Sequence, residues 1–216
     1  MNASTKILLL TIALPSPLVG QGVLDQFSYE GLGFTGIGIE LGSVSSDRVT
    51  TELIGGVRVD YGWIAPQVRL MFGATYFKGE LDADEVARFE NQLRAVVIDP
   101  TGDFRVDVGT ISWSNLAADL DLQYVLADGS TFAPYAGLGL SVHVRNGSGQ
   151  SINDTFVEDA LDTIAAGLNF SAGTEAKLTS SLNLYADLHL SLTSELNMAS
   201  LKGGIMYRPG LSGGDR

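Results

Sequence analysis

Eight segments of this chain alternate apolar and polar residues with a period of two, and that period constrains the fold more than any other feature. In the second segment Leu53, Val57, Val59, Tyr61 and Trp63 are apolar, whereas Glu52, Arg58 and Asp60 between them are charged. Side chains on a strand point to opposite faces in turn, so one face meets an apolar medium and the other a polar one. The pattern predicts strands over about 27–42, 51–64, 67–77, 106–126, 131–145, 161–175, 182–192 and 198–208. Each is long enough to cross a bilayer at a tilt.

The apolar faces carry no charge. In the third segment they are Val68, Leu70, Phe72, Ala74 and Tyr76; in the fourth, Leu116, Ala118, Leu120, Leu122 and Tyr124. The fifth continues with Ala136, Leu138, Leu140, Val142 and Val144, and the sixth with Ile164, Ala166, Leu168 and Phe170. In the seventh, Leu182 through Leu192, alternate positions are apolar. The polar faces are rich in Gly, Ser and Asn, unlike the varied charged exterior of a soluble sandwich. The expectation is an all-β fold, an eight-stranded antiparallel up-and-down transmembrane β-barrel turned inside out, with apolar residues outside and polar ones within.

The connections agree with this. Tight turns are expected at 64–66, 127–130 and 176–181, with mostly longer polar connections between them; short turns belong to the periplasmic side and long loops to the outside. Phe27, Tyr29, Tyr61, Trp63, Tyr124, Phe132 and Tyr207 fall on outward positions near the expected periplasmic ends, where aromatic rings form an interfacial girdle. Lys6, the apolar run of residues 7–14 and Pro15 and Pro17 have the form of a secretory signal peptide over residues 1–22. The barrel is expected over 23–209 and a periplasmic tail over 210–216. Export together with the strand pattern points to the bacterial outer membrane.

Net charge is −12 with a pI near 4.4, which opposes nucleic-acid binding, since competition for phosphates requires clustered Lys and Arg. The chain has no cysteine, which excludes a thiolate metal site, a catalytic thiol and a lipidated N-terminal cysteine.

Two stretches carry a family resemblance. Phe132, Ala133, Pro134, Tyr135, Ala136, Gly137, Leu138, Gly139 and Leu140 look like the Pro-Tyr-x-Gly-x-Gly strand of small eight-stranded outer-membrane proteins. Residues 202–209 resemble their last strand, in which a polar residue, a glycine and aromatics form the assembly signal. The chain is similar to the OmpA/OmpX/OmpW-like outer-membrane β-barrel superfamily over roughly residues 27–209. It departs from that pattern where Tyr207 is followed by Arg208, Pro209 and a Gly-rich tail. The resemblance implies a membrane barrel with outer-membrane lipid and the outer-membrane assembly machinery as partners; it names no extracellular partner.

An eight-stranded barrel has an interior just wide enough for its own side chains, so a plugged core is expected. Inward Glu40, Asp60, Asp119, Asp121, Glu175 and Asp187 face Arg58, Arg69, Lys202 and Arg208, and buried charges must pair. This set is read as a structural ion-pair network, the functional alternative being a narrow porin-like path for small cations or apolar solutes. A lipid-modifying hydrolase is a further alternative, because Ser141 with His143, and His189 with Ser191 and Glu195, combine nucleophile and base types. Residues two apart on a strand stand about 6–7 Å apart, however, too far for a direct Ser to His bond without local bending, and both pairs point inward. No catalytic, cofactor-binding or metal-ligating set is assigned; the two histidines lie on separate strands. The leading expectation is a non-enzymatic outer-membrane barrel whose outward loops serve surface structure or partner contact.

The long third connection is the most individual part. Asp82 and Glu85 suit a capping box, Val86, Phe89 and Leu93 make one apolar stripe of a short helix, and Asp99, Pro100, Thr101 and Gly102 form a turn tetrad expected to close an extracellular hairpin.

Overall fold

The computed structural model describes residues 27–47, 50–96, 109–127, 131–148, 162–194 and 196–209. The expected signal peptide, the 99–102 turn, Glu195 and the 210–216 tail lie outside them. The strands are β1 Leu32–Ser46, β2 Glu52–Ala65, β3 Val68–Glu80, β4 Ser112–Val125, β5 Phe132–Ser148, β6 Thr163–Lys177, β7 Leu182–Thr193 and β8 Asn197–Tyr207. A helix, α1, spans Ala83–Val96 between β3 and β4. Each strand pairs antiparallel with its sequence neighbours, and β8 returns to β1 from Ile37↔Tyr207 to Ser46↔Met198, closing the barrel. Closure leaves no unpaired edge, which is what allows a sheet to stand in lipid. No helix among the described residues is long and apolar enough to cross a membrane.

Burial alternates residue by residue and fixes the register. Along β4, Leu116, Ala118, Leu120 and Tyr124 are exposed, while Asn115, Ala117, Asp119, Asp121 and Gln123 are buried. Slipping this strand by one residue would place two aspartates on the apolar surface. Lys78 and Glu80 do reach the outside, but only at the end of β3 that leads into α1. One barrel end is closed by the connections 66–67, 126–131 and 178–181, here called the turn end; the opposite, loop end carries 47–51, 81–111, 149–162 and 194–196. The β7–β8 connection is thus short although it belongs to the loop end.

Three details differ from the sequence reading. The first strand begins at Leu32, so Phe27 and Tyr29 precede it instead of alternating within it; the Leu32 N–H donates to Tyr29 O at 3.1 Å, forming a turn, and the Ser28 N–H donates to Ile64 O at 2.9 Å. The β2–β3 register shifts between Asp60 and Trp63, around Gly62 at φ 87°, which places Trp63 opposite inward Arg69 and leaves it only part-exposed. Gly62 suits that left-handed backbone because it has no Cβ. Tyr61, Tyr124, Phe132 and Tyr207 are exposed on the outward face. Finally, β4 begins at Ser112, after Gly109 at φ 64°.

In α1, Asp82 occupies the N-cap position: its carbonyl accepts from the N–H groups of Glu85 at 2.9 Å and Val86 at 3.1 Å. Asp84 and Glu85 stand in the first turn, where acidic groups suit the helix dipole. Glu85 also pairs with exposed Arg88 at 2.8 Å, a contact that contributes little in water.

If the exposed apolar band meets lipid, Leu120→Arg or Leu188→Arg, both central on outward faces, will destabilise the barrel in vesicles by about 2–4 kcal/mol. The same substitution at Ser148, at the loop end of β5, will cost far less. Equal losses at all three positions in denaturant titrations would contradict this register.

Candidate functional site: the barrel lumen

The lumen is stacked in layers that follow from the inward register. At the turn end lie Asp60 from β2, Arg69 from β3, Glu175 from β6 and Arg208 just beyond β8. Arg69 Nη1 stands 2.6 Å from Glu175 Oε1 and 3.6 Å from Asp60 Oδ2. Arg208 Nη1 donates to Asp60 Oδ2 at 2.6 Å and its Nη2 to Glu175 Oε2 at 3.1 Å. Two guanidiniums thus alternate with two carboxylates contributed by different sides of the barrel. The Gly62 N–H donates to Asp60 Oδ1 at 2.9 Å, and Asn183 Nδ2 donates to Glu175 Oε2 at 3.1 Å. Each acid therefore has donors beyond its ion pairs, the condition under which a buried pair is tolerated.

The next layer contains Glu40, Arg58, Asp187 and Lys202. Arg58 Nη2 lies 3.1 Å from both Glu40 Oε2 and Asp187 Oδ1, and Lys202 Nζ lies 2.7 Å from Glu40 Oε1. Two inward tyrosines complete it. Tyr135 Oη donates to Asp187 Oδ2 at 2.8 Å and accepts from Arg58 Nη1 at 3.2 Å, while Tyr185 Oη donates to Glu40 Oε2 at 3.1 Å. Arg58 stacks 4.8 Å from the Tyr185 ring centre, and Arg69 5.2 Å from that of Tyr135. These rings fit because glycines face them. A Cβ on Gly204 would come within 2.5 Å of Tyr185 Oη, and one on Gly173 within 2.5 Å of Tyr135 Oη.

Asp119 and Asp121 correct the sequence expectation of a pairing network. Both are buried, but among the described residues neither stands in an ion pair; Asn169 Nδ2 donates to Asp119 Oδ1 at 3.0 Å and to Asp121 Oδ1 at 3.4 Å. The cations are engaged elsewhere, since Arg58 and Lys202 are drawn to Glu40 and Asp187.

Toward the loop end the charges give way to a neutral cluster. His143 Nε2 is 2.9 Å from Ser141 Oγ and 3.0 Å from Ser191 Oγ, and its Nδ1 is 3.2 Å from Asn115 Oδ1. The expectation that Ser141 and His143 stand too far apart is overturned: Cα spacing along a strand does not limit side chains that lean along it, and the ladder runs unbroken from Ser141↔Gly167 to His143↔Ala165. Nucleophile, base and orienting amide are in bonding reach. Yet Ser141, His143 and Asn115 are 1–3 % exposed, two serines share one ring nitrogen, and Asn169 Oδ1 accepts from Ser141 at 2.9 Å. His189 and Ser191 face the same lumen, but Ser191 bonds His143.

Above this cluster an apolar group closes the loop end: Val44, Ile54, Phe77, Trp113, Leu196 and Met198, joined by Leu81. Phe77 and Trp113 meet edge to face at 6.1 Å, and Arg145 lies 5.5 Å from the Trp113 ring centre. Arg145 Nη2 also donates to Thr193 Oγ1 at 2.8 Å, and Thr193 Oγ1 in turn donates to Leu196 O at 2.8 Å. The sequence reading missed this seal and the tyrosines. The inward parity of Arg58, extended along β2 to Ile54, and of Asp119, extended along β4 to Trp113, identifies part of it. Two voids lined by described residues of the lumen measure about 20 Å³ and about 10 Å³, each about the size of one water molecule. No set of three metal-ligating side chains occurs among the described residues.

Arg58→Met is expected to cost about 3–5 kcal/mol, because Asp187 would lose its ion pair at 3.1 Å and keep one direct hydroxyl donor among the described residues. Arg69→Met is expected to cost less, since Arg208 still pairs both Asp60 and Glu175. Urea titration of the two variants checks the ranking, and an equal or reversed order contradicts it.

No family model matches the sequence, and no curated protein does. Solved structures do resemble it. OprG of Pseudomonas aeruginosa, an outer membrane protein, superposes with a TM-score of 0.50 at 15% identity, over 82% of this chain and 98% of that one. Neisserial surface protein A gives 0.48 at 12%, over 81% and 96%. Ail, the attachment invasion locus protein of Yersinia pestis, in complex with the heparin analogue sucrose octasulfate, gives 0.46 at 14%, over 83% and 99%. At these identities the likeness is one of fold, and with the closed, inside-out barrel described above it assigns this chain the fold of the small eight-stranded outer-membrane β-barrels.

Proposed function

We propose that the protein is a non-enzymatic barrel of the bacterial outer membrane, with an ion-paired lumen that serves as its structural core and loop-end segments that serve surface structure or contact with an extracellular partner. In this reading outer-membrane lipid surrounds the apolar band, the outer-membrane assembly machinery inserts the barrel, and the turn end faces the periplasm. The observation that carries the reading is the packing of the lumen: among the described residues, two layers of ion pairs, a hydrogen-bonded cluster and an apolar group occupy it in succession, and two voids between them measure about 20 Å³ and about 10 Å³. A hydrolase needs substrate access to its nucleophile, whereas Ser141 is 3 % exposed and faces away from the lipid side.

A narrow cation path is the second reading, favoured by the two carboxylates, Asp119 and Asp121, that stand outside the ion pairs. Planar-bilayer recording of refolded protein separates the two. The closed-core reading expects no stepwise conductance above that of the bare bilayer; reproducible cation-selective steps from folded, heat-modifiable protein would overturn it in favour of the second.

A further inference from the structure

The apolar group at the loop end is not built from the barrel wall alone. Leu196, 2 % exposed, belongs to the turn between β7 and β8, where the ladder ends at Leu192↔Asn197. Its side chain is thus folded over the lumen by a turn, and a turn can move without breaking the pairing of the strands it joins.

One hydroxyl gathers the ties of that turn. Thr193 Oγ1 donates to Leu196 O at 2.8 Å, accepts from the Leu196 N–H at 3.0 Å and accepts from Arg145 Nη2 at 2.8 Å. Arg145, on β5 and 3 % exposed, also lies 5.5 Å from the ring centre of Trp113 on β4. It therefore connects the β7–β8 turn to the aromatic part of the apolar group on a strand that shares no ladder with either β7 or β8.

The chemistry changes directly beneath. The void of about 20 Å³ is lined by Val44, Phe77 and Met198 of the apolar group and by Asn115, His189 and Ser200 of the polar lumen. The two regions meet there across a space about the size of one water rather than in continuous packing. Asn115 leads on to His143, and His143 to Ser141 and Ser191.

We propose that the loop end of the barrel is a latched gate, with Arg145 as the latch and the Leu196 turn as the moving part, and that its release admits water and small uncharged solutes to Ser141, His143 and Ser191. The class of solute follows from the mouth and from what lies under it. Apolar side chains at the mouth impose a desolvation cost on any ion, whereas the hydroxyl, amide and imidazole groups beneath offer donors and acceptors to an uncharged polar molecule. The ion-paired layers toward the turn end take no part in the latch, so the gate opens onto a chamber whether or not the lumen conducts.

Because the chain has no cysteine, a single introduced thiol reports access to the chamber. Full-length Ser191→Cys is refolded into lipid vesicles and treated with methyl methanethiosulfonate, a small uncharged thiol reagent, with Arg145 intact and in the Arg145→Met background. Thr193→Val, which removes the hydroxyl through which Arg145 holds the turn, is the second latch variant. Ser171→Cys, buried nearer the turn end, reports any general loosening of the barrel. Loss of one charge-assisted hydrogen bond is expected to speed labelling at position 191 by about tenfold or more in Arg145→Met, and in the same direction in Thr193→Val, while labelling at position 171 stays slow. Unchanged labelling at position 191 in a folded latch variant, or an equal acceleration at position 171, would overturn the proposal. Failure of both latch variants to fold would overturn it as well, since Arg145 would then be a part of the fold that cannot be released.

Discussion

The pairing of guanidinium and ammonium groups with carboxylates inside the barrel is the constraint on which the rest depends. Most apolar residues of the strands are turned outward, and apart from the apolar group at the loop end, what joins opposite walls is largely polar. Arg58 on β2 reaches Asp187 on β7, Arg69 on β3 reaches Glu175 on β6, and Lys202 on β8 reaches Glu40 on β1. Two of these contacts bridge strands that share no backbone ladder, so they brace the barrel across its diameter. Their value is conditional: each charge has lost its water, and the layers hold because tyrosine hydroxyls, Asn183 and a backbone N–H supply further bonds.

That constraint sets where small residues are needed. Gly204 and Gly173 exist as inward glycines because Tyr185 and Tyr135 lie against them, and those rings in turn support Arg58 and Arg69. Glycine, aromatic ring and guanidinium form one packing unit on each side of the lumen. At the loop end the solution changes to apolar packing around Trp113, tied to the short β7–β8 connection by Arg145 and Thr193.

Much of this was legible in the sequence, and the limits have physical causes. A period of two assigns each side chain to a face, so the strands, the closed eight-strand architecture and the inward direction of Glu40 through Arg208 were readable without coordinates. Alternation fails where the backbone departs from regular pleating, which is why Trp63, beyond the Gly62 irregularity, is only part-exposed and why the first strand begins at Leu32, after the exposed Phe27 and Tyr29. Face assignment also says nothing of partners across the lumen. Which acid meets which base depends on the stagger between distant strands, so the inward parity of Asp119 and Asp121 suggests ion pairs that neither forms among the described residues. The Ser141–His143 contact was missed because strand spacing constrains Cα atoms rather than side-chain tips.

The central claim, that cross-lumen ion pairs act as coupled units in the fold, is tested most directly by a double-mutant cycle on Lys202 and Glu40, whose charged atoms stand 2.7 Å apart. Unfolding free energies of Lys202→Met, Glu40→Gln and the double variant are measured in the same lipid vesicles. The account predicts that the double variant is more stable than the sum of the single losses implies, by at least about 1 kcal/mol, because each single change strands a buried charge. Additivity within about 0.5 kcal/mol would contradict it.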